Sequence, residues 1–145
     1  MKRERRQKRQ GTLTASVHGQ HRAGATGPMP FDTSVRDKAI ARRSDRLESE
    51  RKRLLAQTCA LLESHCSRYG IRSAYIFGTL ARPRRFHERS DVDIAIETSR
   101  HELLTEAIGR FSLLLDRDVD LVDLATVPFA DRIRREGIEW TPKSS

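Results

Sequence analysis

Cysteine, tryptophan and methionine are scarce: two, one and two in 145 residues. Cys59 and Cys66 are seven positions apart. If their segment is helical, they stand ~10 Å apart along its axis, too far for a disulfide. They read as reduced thiols packed as small hydrophobes, so a cytosolic protein is expected. No apolar run approaches the ~20 residues that cross a bilayer. The opening KRERRQKRQ has no apolar stretch behind it, so no secretory signal is expected.

Acidic charge is short in one region only. Residues 1–46 hold 12 of the 28 basic residues and 4 of the 20 acidic ones, a balance of +8; the other 16 and 16 cancel. The surplus charge therefore belongs to an N-terminal arm, residues 1–43, ahead of a neutral folded domain, residues 44–142. The arm has few large apolar residues and no sustained period, and reads as disordered. Its basic run is either a solvated tail or a nucleic-acid contact, since Lys and Arg on phosphates release counterions. Met29 offers an alternative start that would omit the run. A transit peptide fits the Arg-rich, acid-poor composition, but the run lacks the apolar face such peptides show.

The folded domain alternates helix and strand. Leu47, Leu54, Leu55, Cys59, Leu61, Leu62, Cys66 and Tyr69 share a helical face over residues 45–69. Asp45 and Glu48 resemble a capping box at its start, and Gly70 a stop. Strands are expected over 73–77, 91–97 and 118–124. Between the last two, Ser99 and Glu102 form a capping-box pattern. It precedes an amphipathic stripe of Leu103, Leu104, Ala107, Ile108, Phe111, Leu114 and Leu115. Thr126 and Pro128 open a short helix through Arg135, Gly137 stops it, and residues 138–140 close the structure. This order gives an α/β (α+β) domain, a small mixed sheet covered by helices.

The chemistry concentrates in FGTLARPRRFHERSDVDIAIE, residues 77–97. Asp91 and Asp93 alternate with Val92, Ile94 and Ile96, so the two carboxylates face one way, roughly 6.6 Å apart along the strand. Such a pair is costly beside an apolar face unless neutralised. Hard divalent cations suit it, and Mg²⁺ bridges carboxylates to substrate phosphates. Gly78 ends a strand before a short helix, where free N–H groups favour phosphate, and Thr79 adds a hydroxyl. Pro83 is acceptable within a first helical turn. Arg82, Arg84, Arg85 and Arg89 suit a triphosphate, or form a solvated loop. Asp118 and Asp120 share one face of the third strand and Asp123 takes the other; one of the first two would complete a three-carboxylate site. Asp118 and Asp123 also read as surface charges. His87 and His101 lack a partner pattern and are not expected to be catalytic.

These residues resemble a known family. Gly78-Thr79-Leu80-Ala81-Arg82 and Ser90-Asp91-Val92-Asp93-Ile94 resemble the G-S-x-A-R-G … S-D-x-D-L signature of polymerase-β-like nucleotidyltransferases, above all the minimal nucleotidyltransferases (MNT). Val119–Leu124 resembles their third-aspartate strand and Arg135-Glu136-Gly137 a common ending. The resemblance covers about residues 47–140. Thr79 stands where serine is usual, Pro83 where glycine is usual, and the link to Ser90 is one residue longer.

The resemblance implies that Asp91, Asp93 and Asp120 bind two Mg²⁺ ions, with Mn²⁺ as the alternative. Asp120 would also be the plausible base. Gly78, Thr79, Arg82 and Ser90 would hold the nucleotide, ATP above others. A hydroxyl would attack the α-phosphate and pyrophosphate would leave. In the minimal branch the acceptor is a tyrosine of a small helical HEPN toxin, and the transferase is the antitoxin. Thr79 and Pro83 motivate a second reading, a non-catalytic module that neutralises its partner by contact. A third is transfer to RNA ends or a small molecule, with the arm holding nucleic acid.

Overall fold

The computed structural model describes residues 33–143. The expectation of a disordered arm falls mainly on residues outside that range. By internal contacts the chain divides into two units, Met1–Ile40 and Ala41–Ser145. Of the first, residues 33–40 are described and exposed, and Thr33 O accepts the Asp37 N–H at 2.9 Å.

Helix α1 spans Ser34–Tyr69 and so starts well before the expected residue 45. Asp45 and Glu48 therefore lie inside the helix and do not cap it; Glu48 pairs with Arg51 at 2.8 Å. The expected apolar face is correct: Leu54, Leu61, Leu62 and Tyr69 are buried, and Leu47, Leu55, Cys59 and Cys66 pack against them. Gly70 stops the helix with φ +62°, and a Cβ there would come within 2.4 Å of Ser99 Oγ, so both conformation and space require glycine. Both cysteines are free, and burial pushes the Cys59 thiol up.

Four strands follow: β1 Ile71–Phe77, β2 Val92–Thr98, β3 Val119–Asp123 and β4 Ile138–Trp140. Their order in the sheet is β3-β2-β1-β4. β1 runs antiparallel to β2 and β4, and β2 runs parallel to β3. The parallel pair is joined by helix α2, Leu104–Leu115. The mixed α/β sheet is the one expected, with residues 138–140 as a true fourth strand.

The capping box expected before α2 is not formed. A 3₁₀ turn, His101–Leu103, intervenes, and the Ser99 hydroxyl donates to Gly70 O at 3.5 Å. Thr98 takes over locally: its Oγ1 accepts the Arg100 N–H and donates to Tyr69 O at 2.7 Å.

Side-chain alternation splits the sheet into two faces. Ala74, Ile76, Val92, Ile94, Ile96, Val119 and Leu121 pack with Leu62, Tyr69, Ala107 and Phe111 of α1 and α2. On the other face, Ala95 packs with Leu124 and with Ile133 of helix α3, Ala130–Glu136. α3 is short, so this second face is covered by little, and Asp93 and Asp120 lie on it.

Candidate active site

Asp93 and Asp120 are directly opposite each other across the parallel β2–β3 pair. Asp91 is the last residue before β2 and is exposed. Asp93 is half-buried, and its carboxyl is raised above the usual range, first by burial, then by the charges of Asp120 and Asp91. Among the described residues no Lys, Arg or His lies within ion-pair distance of these three aspartates. They are neighbours and not a tight cage: among the described residues no group of three His, Cys, Asp or Glu side chains is close enough to hold an ion as it stands. The donor set is nonetheless hard oxygen throughout, which suits Mg²⁺ or Mn²⁺.

Gly78 opens the 3₁₀ turn Gly78–Ala81 straight after β1, with φ +75°. A Cβ built on it would lie 2.1 Å from Asp93 Oδ2. The glycine backbone therefore lies directly against the central carboxylate, an approach that no other residue allows. Thr79 is half-buried next to it, and its carbonyl accepts the Arg82 N–H at 3.1 Å.

Pro83 does not sit in a helical turn. It follows Arg82 in a β-turn closed by Arg85 N–H to Arg82 O at 3.1 Å, where proline's fixed φ is favoured. Among the described residues no position in this loop other than Gly78 has positive φ, so proline in place of the usual glycine costs no strain here.

Two clefts flank the carboxylates. One, of about 270 Å³, is lined by Gly78, Ala81 and Arg82 with Phe129, Arg132 and Glu136 of the α3 region. Arg82 reaches Glu136 at 3.4 Å. Arg132 was not legible as a site residue, because its spacing to Glu136 reads as an ordinary helix-surface pair. The second, of about 700 Å³, has Asp91, Arg89 and Ser90 on one wall and Ser112, Leu113 and Asp118 on the other. Arg84 and Arg85 are exposed.

Ser90 is buried at 4% exposure, and its hydroxyl accepts the His87 N–H at 2.9 Å while Ser90 N–H returns to His87 O. His87 Nδ1 accepts the Arg89 N–H, so the histidine organises this turn. Asp118 precedes β3, and its carbonyl accepts the Val92 N–H at 3.0 Å.

Asp123, read from sequence as a surface charge, is buried. His101, read as lacking a partner, contacts its Oδ2 through Nδ1, while Oδ1 accepts the Ala125 N–H. This pair lies on the opposite face of β3 from Asp120 and closes the turn after the strand.

Two carboxylates in register on a thinly covered sheet face, with a glycine turn pressed against Asp93, offer the hard oxygen donors that suit a divalent ion beside phosphate. The class is therefore one that handles phosphate groups. A family model described as Polymerase beta, Nucleotidyltransferase matches residues 61–142, more than half of the chain, and the chain belongs to that family.

Two solved structures are similar in part. One, a toxin–antitoxin with AMP-PNP, is 26% identical, with a TM-score of 0.44; the match covers 51% of this chain and 64% of that one. This chain thus spans less than two thirds of that neighbour's length. The other, the toxin–antitoxin MntA-HpeT in a mutant form, is 22% identical, with a TM-score of 0.47 and coverage of 61% and 73%. The comparison with curated sequences gives no match. Among the described residues no helix is long and apolar enough to cross a membrane.

Proposed function

We propose that this chain is a Mg²⁺-dependent nucleotidyltransferase that moves AMP from ATP to a tyrosine hydroxyl of a small helical HEPN-type toxin, and so acts as its antitoxin in the cytoplasm. The observation that carries the reading is Asp93. It is half-buried, lies between Asp91 and Asp120, faces no protein cation among the described residues, and is held against the backbone of Gly78. A carboxylate so placed lacks a counter-charge, and bound Mg²⁺ would supply one while polarising the α-phosphate and the leaving oxygen.

Asp91, Asp93 and Asp120 hold the metal in this reading. Gly78 and Arg82 hold the triphosphate in the smaller cleft with Arg132 beside them, Thr79 adds its hydroxyl next to Gly78, and Ser90 supports the turn that carries Asp91. The acceptor hydroxyl approaches over Asp91 from the larger cleft. Asp120 takes its proton, the oxygen bonds to the α-phosphorus, the bond to the β-phosphate oxygen breaks, and pyrophosphate leaves.

The strain-free place of Pro83 and the retained hydroxyl of Thr79 favour this reading over a non-catalytic binding module. Transfer to RNA ends through the arm rests on residues outside the described range. The test is incubation with α-labelled ATP, Mg²⁺ and the product of the adjacent gene, beside an Asp91→Asn/Asp93→Asn control. Label on the partner that disappears in the control is expected. Tight binding of the partner without label from any nucleoside triphosphate would sink the enzymatic reading.

A further inference from the structure

Arg117 lines the larger cleft and is tied to the loop that carries Asp91. Its Nη1 donates to Ser90 O at 2.7 Å, one peptide before Asp91. Its guanidinium also lies 5.2 Å from the centroid of the Phe86 ring, which is buried at 5% exposure. Among the described residues no carboxylate pairs with it, so its charge serves that carbonyl and that ring.

The position of Arg117 along the chain matters as much. Asp116 ends α2 in the left-handed conformation, φ +54°, and turns the chain sharply. Arg117 N–H then returns to Ser112 O, and Asp118 O accepts Val92 N–H at 3.0 Å. Two residues further on is Asp120. One three-residue turn thus fixes the start of the strand bearing Asp120 to both the peptide before Asp91 and the strand bearing Asp93.

From this geometry we infer that Arg117 is a positioning residue that ties the loop carrying Asp91 to the start of the strand carrying Asp120, so that a divalent cation can draw the three carboxylates together. It contacts none of the three carboxylates; it acts through Ser90 on Asp91. The three aspartates repel one another, and Asp91 is held by no side-chain partner of its own among the described residues. Without Arg117 the loop moves outward and the donor set opens. Outer-shell partners of this kind are worth roughly 10–100-fold in metal affinity.

The inference rests on the metal-binding reading above, and its test separates the two. Mn²⁺ binding to the full chain is followed by loss of the free-ion paramagnetic resonance signal, without nucleotide or partner, for wild type, Arg117→Ala, Arg117→Lys and Phe86→Leu. The expected result is a roughly tenfold or greater rise in the Kd for Arg117→Ala. Arg117→Lys, which keeps a donor for Ser90 O, stays closer to wild type, and Phe86→Leu falls between. Labelling by Arg117→Ala should recover at saturating Mn²⁺, which a loss of folded protein alone would not give. Wild-type Mn²⁺ affinity in Arg117→Ala would overturn the inference; if that variant does not fold, wild-type affinity in Phe86→Leu overturns it. Failure of wild type itself to bind Mn²⁺ would overturn the metal-binding reading and this inference with it.

Discussion

A methyl group at Gly78 would meet Asp93 Oδ2 at 2.1 Å, on a backbone whose φ of +75° already disfavours any side chain. Gly78→Ala must therefore move the glycine turn, the carboxylate, or both. The strained backbone alone costs ~1–3 kcal/mol, which a thermal melt reads directly. Transfer should fall further than stability does, by ~100-fold or more, because displacement of about 1 Å at a reacting centre costs that much. A Gly78→Ala protein with near-normal labelling would show that the turn does not face the nucleotide.

Asp93 gives a pH-dependent counterpart. Its folded carboxyl is raised by burial and by Asp120 and Asp91, so the folded state keeps its proton to higher pH than the unfolded chain does. The metal-free protein therefore loses stability as pH rises from the ordinary carboxylate value of about 3.9 through the raised folded value. Asp93→Asn removes that loss. The variant should melt above metal-free wild type at pH 8, with the gap closing at acidic pH, and should label nothing. Mg²⁺ should raise the melting temperature of wild type and leave Asp93→Asn nearly unchanged. A melting curve for wild type that ignores both pH and Mg²⁺ would remove the basis for a metal here.

At the scale of elements, α1 does more than cover the sheet. Arg51 is buried on its inner face, pairs with Glu48 and donates to Leu80 O at 2.9 Å in the glycine turn. The same guanidinium holds the Glu48 carboxyl below the usual range. Arg51→Met keeps much of the volume but leaves Leu80 O, in a fully buried residue, without its donor. The expected loss is ~1–3 kcal/mol, the cost of an unsatisfied buried group. Because Arg51 touches the turn and not the carboxylates, Mn²⁺ affinity should hold while the melting temperature falls. A large loss of metal affinity would mean that the glycine turn and the carboxylates move as one body.

Elements differ in how far they could be read from sequence. The stripe from Leu54 to Tyr69 and the alternation Val92, Ile94, Ile96 mark a helix and a strand because burial alone sets their spacing. Asp93 and Asp120 were legible for the same reason, since period two puts them on the face away from that core. Arg51 and Arg117 were not, because a basic residue reads as solvent-facing until a carbonyl elsewhere in the fold is seen to need it. The capping pattern at Ser99 and Glu102 failed because the Ser99 N–H that Glu102 would cap already donates to Gly70 O at 2.9 Å and a 3₁₀ turn follows. Pro83 was read as tolerated in a first helical turn and instead sits in a β-turn, since its place depends on where the 3₁₀ turn ends.

For the molecule as a whole, charge is divided sharply along the chain. Residues 1–32 carry seven Lys/Arg against two Asp/Glu, whereas residues 47–145 balance. The candidate site and the residues that brace it, Arg43 on Glu88 included, lie between 43 and 136, within the second unit. Deleting residues 1–32 should therefore leave the rate of labelling a protein acceptor within about twofold, the scatter expected of changes remote from the chemistry. The same deletion tests the arm's second reading. If the seven cations hold single-stranded RNA, log affinity against log salt for the full chain has a slope of up to about −5, at ~0.7 per phosphate contact, and most of it goes with the arm. Labelling of the protein partner that collapses on deletion, with no RNA present, would show that the arm serves the acceptor. Labelling that survives while RNA binding disappears would mark the arm as a separate polyanion contact beside a self-sufficient transferase.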